Sequence, residues 1–234
     1  MDIIKSGDGS LTAYSRVFKE HYHSTKDGAL SETMSKHVIP TFKLKADKDT
    51  ICVLDICFGL GYNTLATVYY FKKHRPDMKL FIYSPELDSN LIKRLCDFEY
   101  PKEFSKEIIG ELVKKQLYSK NGVHVELFLG DALEYIKKFD DFFDIVYQDA
   151  FSPEKNPLLW SKEYFSLIAK ASKNDAILTS YSTSFQTRYN LYQNGFYIYD
   201  SINEHTRNSL VASKVPIEGF KKVDMEHKIR CNFS

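Results

Sequence analysis

"ICVLDICFGLGYN", Ile51 to Asn63, opens with a continuous apolar run containing β-branched residues, the pattern of a strand covered on both faces. Glycines at 59 and 61 then break the run, and Tyr62 to Lys73 carry apolar residues at helical spacing. Strand, glycine turn and helix follow in order, the opening unit of a parallel α/β sheet. Gly59 and Gly61 let the backbone approach a ligand closely, and the helix behind them offers free N–H groups at its start. Asp55 ends the strand and Asn63 opens the helix. The third glycine of a dinucleotide fingerprint is replaced by Thr64, and no Walker lysine follows. Nicotinamide cofactors and ATP hydrolysis are therefore disfavoured.

Outward from this unit the alternation continues. "MKLFIYSPE", "VHVELFLGD", "FFDIVYQD", "DAILTSY", "FYIYDS" and "NSLVASK" read as further strands. Between them "SNLIKRL", "KEIIGELVKKQLY", "ALEYIKKF", "SKEYFSLIAKAS" and "TSFQTRYNLYQN" read as helices, the last ended by Gly195. The expected fold is a doubly wound, mostly parallel α/β sheet of seven strands, Rossmann-like and covered on both faces. Ahead of it, residues 1–48 predict a small β/α extension: a hairpin around the Asp8-Gly9 turn signal, then a short helix through "ALSETMSKHVI" ended by Pro40. The main domain is expected over 49–214, and 215–234 as a surface tail with a role at an RNA interface.

Hydrophobic residues make up 43% of the 234, and 27% are charged, which places the chain among folded globular proteins. The four cysteines show no CxxC spacing, so a reduced, cytoplasmic protein is expected. Neither a leader pattern nor an apolar run of the ~20 residues that span a bilayer is present in this sequence. A net charge of +1 does not advertise nucleic-acid binding, and the lysines at 114, 115 and 120 and beyond 214 are interleaved with acids.

Acids recur at successive strand ends. Glu86, after the second strand, can accept hydrogen bonds from both ribose hydroxyls, and Asp131, beside Ala132 after the third, can reach a base edge. Asp131 is also placed to cap the next helix. With Asp55 and the Gly59/Gly61 turn, these residues outline a site for a nucleoside without phosphates, the pattern of S-adenosyl-L-methionine. Asp149 follows the fourth strand in "DAFSPEKNP", where Pro153 and Pro157 stiffen the chain. A carboxylate fixed there can bind a substrate amine, orient its lone pair and accept or relay a proton. Trp160, at the lip of that loop, either stacks on a base or packs. Tyr181 and Ser182 follow the fifth strand, on the expected substrate wall. His21 and His23 lack further ligands at metal spacing, so no metal is expected and they are read as pocket lining or support.

In chain order, "GDGSLTAYSRVFKEHYHSTKDGALSET", "CFGLGYN", "YSPE", "LGDALEYI", "QDAFSPEKNPLLW" and "RNSLVASK" resemble the methyltransferase half of the tRNA-modifying protein MnmC. They are still more similar to its stand-alone relatives without the flavin-dependent oxidase half. The resemblance implies S-adenosyl-L-methionine-dependent N-methylation of 5-aminomethyluridine, or its 2-thio form, at the wobble position of tRNA. It implies a cofactor turn at Phe58, Gly59, Gly61 and Asn63, cofactor acids at Glu86 and Asp131, and a catalytic loop of Asp149, Phe151, Pro153, Asn156, Pro157 and Trp160. It also implies that another enzyme supplies the aminomethyl group. Relatives commonly carry an acid where this chain has Leu158. Three rivals remain at this level: an aminopropyltransferase of the spermidine synthase type, a non-catalytic RNA-binding protein with a relic nucleoside pocket, and an N-methyltransferase of small molecules or proteins.

Overall fold

The computed structural model describes residues 1–233. Three short antiparallel strands come first: β1 (Asp2–Lys5), β2 (Leu11–Ser15) and β3 (Glu20–His21). The helices α1 (Ala29–Thr33) and α2 (Ile39–Lys45) are joined without a break by a π-helical turn over Met34–Val38. Pro40 therefore does not end the helix as expected; it lies in the first turn of α2, where the wider π spacing makes room for its ring. The main sheet begins with β4 (Thr50–Ile56), α3 (Tyr62–His74), β5 (Lys79–Glu86), α4 (Ser89–Lys93) and α5 (Lys106–Lys115). It continues through β6 (Leu117–Lys120), β7 (Val123–Leu129), α6 (Ala132–Ile136), β8 (Phe143–Gln148), α7 (Lys162–Ala171) and β9 (Ser172–Ser180). The last elements are α8 (Phe185–Gln193), β10 (Tyr197–Ser201), β11 (Ser209–Ser213), β12 (Lys221–Lys222) and α9 (Met225–Phe233).

All seven expected strands belong to one sheet, and two short edge strands bring it to nine in the order β12-β10-β11-β9-β8-β4-β5-β7-β6. β8, β4, β5, β7 and β9 pair in parallel, while β11, β10, β12 and β6 join antiparallel. β6 arises because the expected helix stops early. Gln116 takes a left-handed φ of 58°, and Asn121 and Gly122 both have positive φ, the geometry of a tight hairpin turn onto β7. The C-terminal segment also departs from expectation. Val223 and Met225 are buried in the main core, β12 pairs with β10, and α9 follows, so residues 215–233 are not a loose surface tail.

Every residue of β8 is buried, which explains its unbroken apolar reading between Asp144 and Gln148. The strand order turns back at β4, with β5 on one side and β8 on the other, so a crevice opens at their carboxyl ends. Asp55, Glu86 and Asp149 stand at those three ends.

Candidate active site

A cleft of about 670 Å³ lies at this edge, a size suited to a small organic ligand. One wall comes from the turn after β4 and the ends of β5 and β7: Phe58, Gly59, Asn63, Glu86, Asp131 and Ala132 all line it. The facing wall comes from the loop after β8 and from the residue after β9: Asp149, Phe151, Asn156 and Tyr181. The N-terminal sheet closes one side with Phe18, Glu20, His21, Tyr22 and His23. Val17, Leu87 and Leu158 leave an apolar, exposed lip.

The turn after β4 and the segment after β5 hold Glu86 from both sides. Gly59 N–H donates to its Oε2 and Asp88 N–H to its Oε1, each at 2.8 Å. Each carboxylate oxygen keeps a lone pair for a ligand hydroxyl. Burial raises the Glu86 carboxyl above the ordinary range, opposed by these backbone hydrogen bonds. Gly59 has a φ of +54°, and a Cβ there would lie 3.2 Å from the Tyr22 ring. Asp131 Oδ1 caps α6 by accepting from Leu133 and Glu134 N–H at 2.7 and 3.2 Å, and the exposed residue still faces the cleft. Capping and lining are thus compatible. Asn63 lines the same wall, and its Oδ1 is buried without a hydrogen-bond partner. The Glu86 carboxylate and the close-approach glycine together fit the ribose of a nucleoside.

Asp149 is tied to the opposite wall through the same asparagine. Asn63 Nδ2 donates to Asp149 Oδ2 at 2.8 Å and reaches Asp55 Oδ1 at 3.3 Å. His37 Nε2 stands 3.5 Å from Asp149 Oδ1, near enough for charge attraction but without hydrogen-bond geometry. Burial opposes Asp149 ionisation; the charge of His37, with that of His23 and the hydrogen bond from Asn63, outweighs it and holds the carboxyl below the ordinary value. The side chain keeps 17% exposure, enough to meet a ligand. Its loop is clamped by Ser152 N–H donating to Glu20 Oε2 at 3.0 Å and by Phe151 stacking on Phe18 with centroids 4.4 Å apart.

Six expected site residues stand off the cleft wall. Trp160 is buried, donates from Nε1 to the Phe151 carbonyl at 2.8 Å and packs edge-on to Tyr181, so it supports the loop rather than a base. Pro157 opens the short turn that carries Trp160, and Pro153 lies in the bend before it. Ser182 is buried against Thr187 Oγ1 at 2.9 Å. Gly61 turns the chain into α3 with a φ of +78°, and a Cβ there would lie 2.8 Å from the Phe58 ring. Gly61→Ala is expected to cost about 2 kcal/mol of stability. An unchanged urea midpoint would contradict that turn role.

Asp55 is the sixth. It is fully buried and accepts from Thr64 Oγ1 at 2.7 Å. Burial is the main influence on its carboxyl, raised to about 7, with the Thr64 hydrogen bond opposing and the charge of Asp149 adding. Between its ordinary value and about 7 the folded chain binds more protons at Asp55 than the unfolded chain, so its contribution to stability falls as pH rises through that window. Asp55→Asn should therefore gain stability relative to wild type between pH ~5 and ~8, by roughly 2 kcal/mol. Parallel urea-stability profiles of the two proteins would refute the shift.

Sequence reading passed over Glu20, Tyr22 and His37. Glu20 and Tyr22 come from the N-terminal sheet, and His37 contacts Thr179, 142 residues away. None has a local pattern that marks it. His21 and His23 do line the cleft, and burial lowers the His23 pKa.

Comparison with known proteins gives this architecture a family. The sequence pattern of a family described as S-adenosyl-L-methionine-dependent methyltransferase matches residues 98–214. The uncharacterized protein MJ0670 of Methanocaldococcus jannaschii is 32% identical over 203 residues, which are 84% of this chain and 54% of that protein. The tRNA 5-methylaminomethyl-2-thiouridine biosynthesis bifunctional protein MnmC of Leptospira interrogans is 26% identical over 208 residues, 80% of this chain and 31% of that protein. The chain thus spans about half of the first relative and about a third of the second. The crystal structure of MNMC2 from Aquifex aeolicus superposes with a TM-score of 0.83 at 31% identity, covering 98% of this chain and 74% of that one. Among the described residues no helix is long and apolar enough to cross a membrane. The chain belongs to the S-adenosyl-L-methionine-dependent methyltransferases, of the MnmC methyltransferase type, and its cofactor is S-adenosyl-L-methionine.

Proposed function

We propose that the protein N-methylates a primary amine, converting 5-aminomethyluridine or its 2-thio form at the tRNA wobble position to the 5-methylaminomethyl nucleoside, in the cytoplasm. One observation carries this reading: the Asp149 carboxylate, kept ionised and partly exposed, is joined through Asn63 to the turn that faces the cofactor side of the cleft. Resemblance to proteins named for 5-methylaminomethyl-2-thiouridine biosynthesis supplies the substrate class.

S-Adenosyl-L-methionine, when bound, supplies an electrophilic methyl group on a sulfonium. Glu86, Gly59, Asn63, Asp131 and Ala132 would hold it, with Asp131 and Ala132 at the start of α6. Asp149 attracts the aminomethyl group as an ammonium and fixes its nitrogen, so that positioning and charge carry the catalysis. Phe151, Asn156 and Tyr181 shape the space for the base, while Lys26 and Arg207 at the cleft edge are placed to meet RNA phosphates. The aminomethyl substituent must already be on the uridine when the methyl group is transferred.

The test compares label transfer from S-adenosyl-L-methionine to one tRNA with and without the 5-aminomethyl group. Transfer only to the aminomethyl form is expected. Equal transfer to both would place the target elsewhere on the RNA, and transfer only from decarboxylated cofactor to free polyamine would favour aminopropyl chemistry.

A further inference from the structure

Asp149 poses a chemical difficulty. A carboxylate held below its ordinary pKa binds an ammonium well but is a weak base, and an alkylammonium has no lone pair with which to attack a methyl group. The proton needs a destination, and His23, on the cleft wall, is a poor one because burial disfavours its cation.

His37 lies immediately behind Asp149. It is fully buried and off the cleft wall, and its Nε2 has no hydrogen-bond partner while facing Asp149 Oδ1 at 3.5 Å. Its Nδ1 is bonded to Thr179 Oγ1 on β9 at 2.8 Å, which leaves Nε2 as the ring nitrogen facing Asp149. A π-helical turn presents it, a device that recurs at functional sites. The titratable groups around it are Asp149 after β8, Asp55 on β4, His23 beyond β3 and Tyr147 on β8, whose ring centroid is 5.4 Å away. On its own helical segment Lys36 and Glu32 pair with each other at 2.5 Å. Tyr147 Oη is engaged by Thr41 and Thr67, and of the two neighbours on the cleft wall, Asp149 and His23, Asp149 is the one that faces Nε2.

We propose that His37, anchored by Thr179, is the positioning residue and proton partner of Asp149, taking up the proton that the substrate ammonium releases before attack. This rests on the amine-methylation reading above. The ammonium N–H bond breaks and its electron pair stays on nitrogen. The proton passes by way of Asp149 Oδ1 to Nε2 of neutral His37, which becomes an imidazolium and later returns the proton to water.

Two measurements on His37→Gln test the pairing. In single-turnover methyl transfer to aminomethyl tRNA, the variant should lose about 10²-fold in rate and lack the acid limb of the wild-type pH profile. Its cofactor affinity should match wild type. A wild-type rate and pH profile in the variant would overturn the proposal. In the protein alone, ¹³C-carboxyl NMR should show the Asp149 titration moved upward in His37→Gln. If wild type fails to methylate the aminomethyl tRNA, the substrate reading falls and this titration alone decides: an upward move upholds the pairing, and no move overturns it. Thr179→Val serves if His37→Gln does not fold; it should lower the rate and move the acid limb, and a wild-type profile would equally overturn the proposal.

Discussion

Asp149→Asn is expected to reduce methyl transfer by 10²- to 10⁴-fold, on the order of the contribution of a positioned acid or base, while cofactor affinity changes little. The substitution keeps the volume and can still accept from Asn63 Nδ2. What it removes is the charge that attracts an ammonium and the partner that faces His37 Nε2. The loss should fall on the rate at saturating substrate as well as on rate over KM, because the carboxylate both binds the amine and prepares it. A variant with full activity would remove Asp149 from the chemistry.

Glu86→Gln should act in the opposite way, weakening cofactor binding by about 10²-fold or more. Both oxygens of Glu86 already accept a backbone N–H, from Gly59 and from Asp88. A glutamine amide must turn its NH₂ toward one of these donors, leaving a buried N–H unpaired and losing one acceptor for the ribose. A lost hydrogen bond to a charged group contributes roughly 1.5–3 kcal/mol, and the unpaired donor adds to it. The raised pKa gives this site a pH signature. Glu86 protonates at a higher pH than an ordinary carboxylate, so wild-type affinity should fall on acidification before exposed carboxylates titrate. Calorimetric titration of both proteins with S-adenosyl-L-methionine checks this; equal affinities would exclude Glu86 from the cofactor site.

Much of this was legible because parallel strands buried on both faces must be apolar throughout. "ICVLDIC" and "FFDIVYQ" declare themselves, and Asp149, directly after the second, stands at the sheet edge where ligands bind. Pro40 was misleading because proline's usual effect on a helix is overridden where a π turn precedes it. The C-terminal segment hid its anchors, Val223 and Met225, among charged neighbours. Trp160 could be read as a stacking platform or as packing, and the Phe151 carbonyl that takes its N–H decides for packing. His37 and Glu20 were invisible for a different reason. Each acts on the Asp149 loop across more than a hundred residues, His37 at the carboxylate itself and Glu20 at Ser152. Such contacts exist only after the N-terminal sheet and helices dock on the main fold.

The central claim is that the cleft methylates an exocyclic amine held at Asp149. Its most direct test is to locate the methyl group. Wobble-aminomethylated tRNA is incubated with the enzyme and trideuteromethyl-labelled S-adenosyl-L-methionine, digested to nucleosides and fragmented in a mass spectrometer. The account predicts the label on the aminomethyl nitrogen of 5-methylaminomethyluridine and nowhere else. Label on a ring atom, a ribose oxygen or another nucleoside would contradict it.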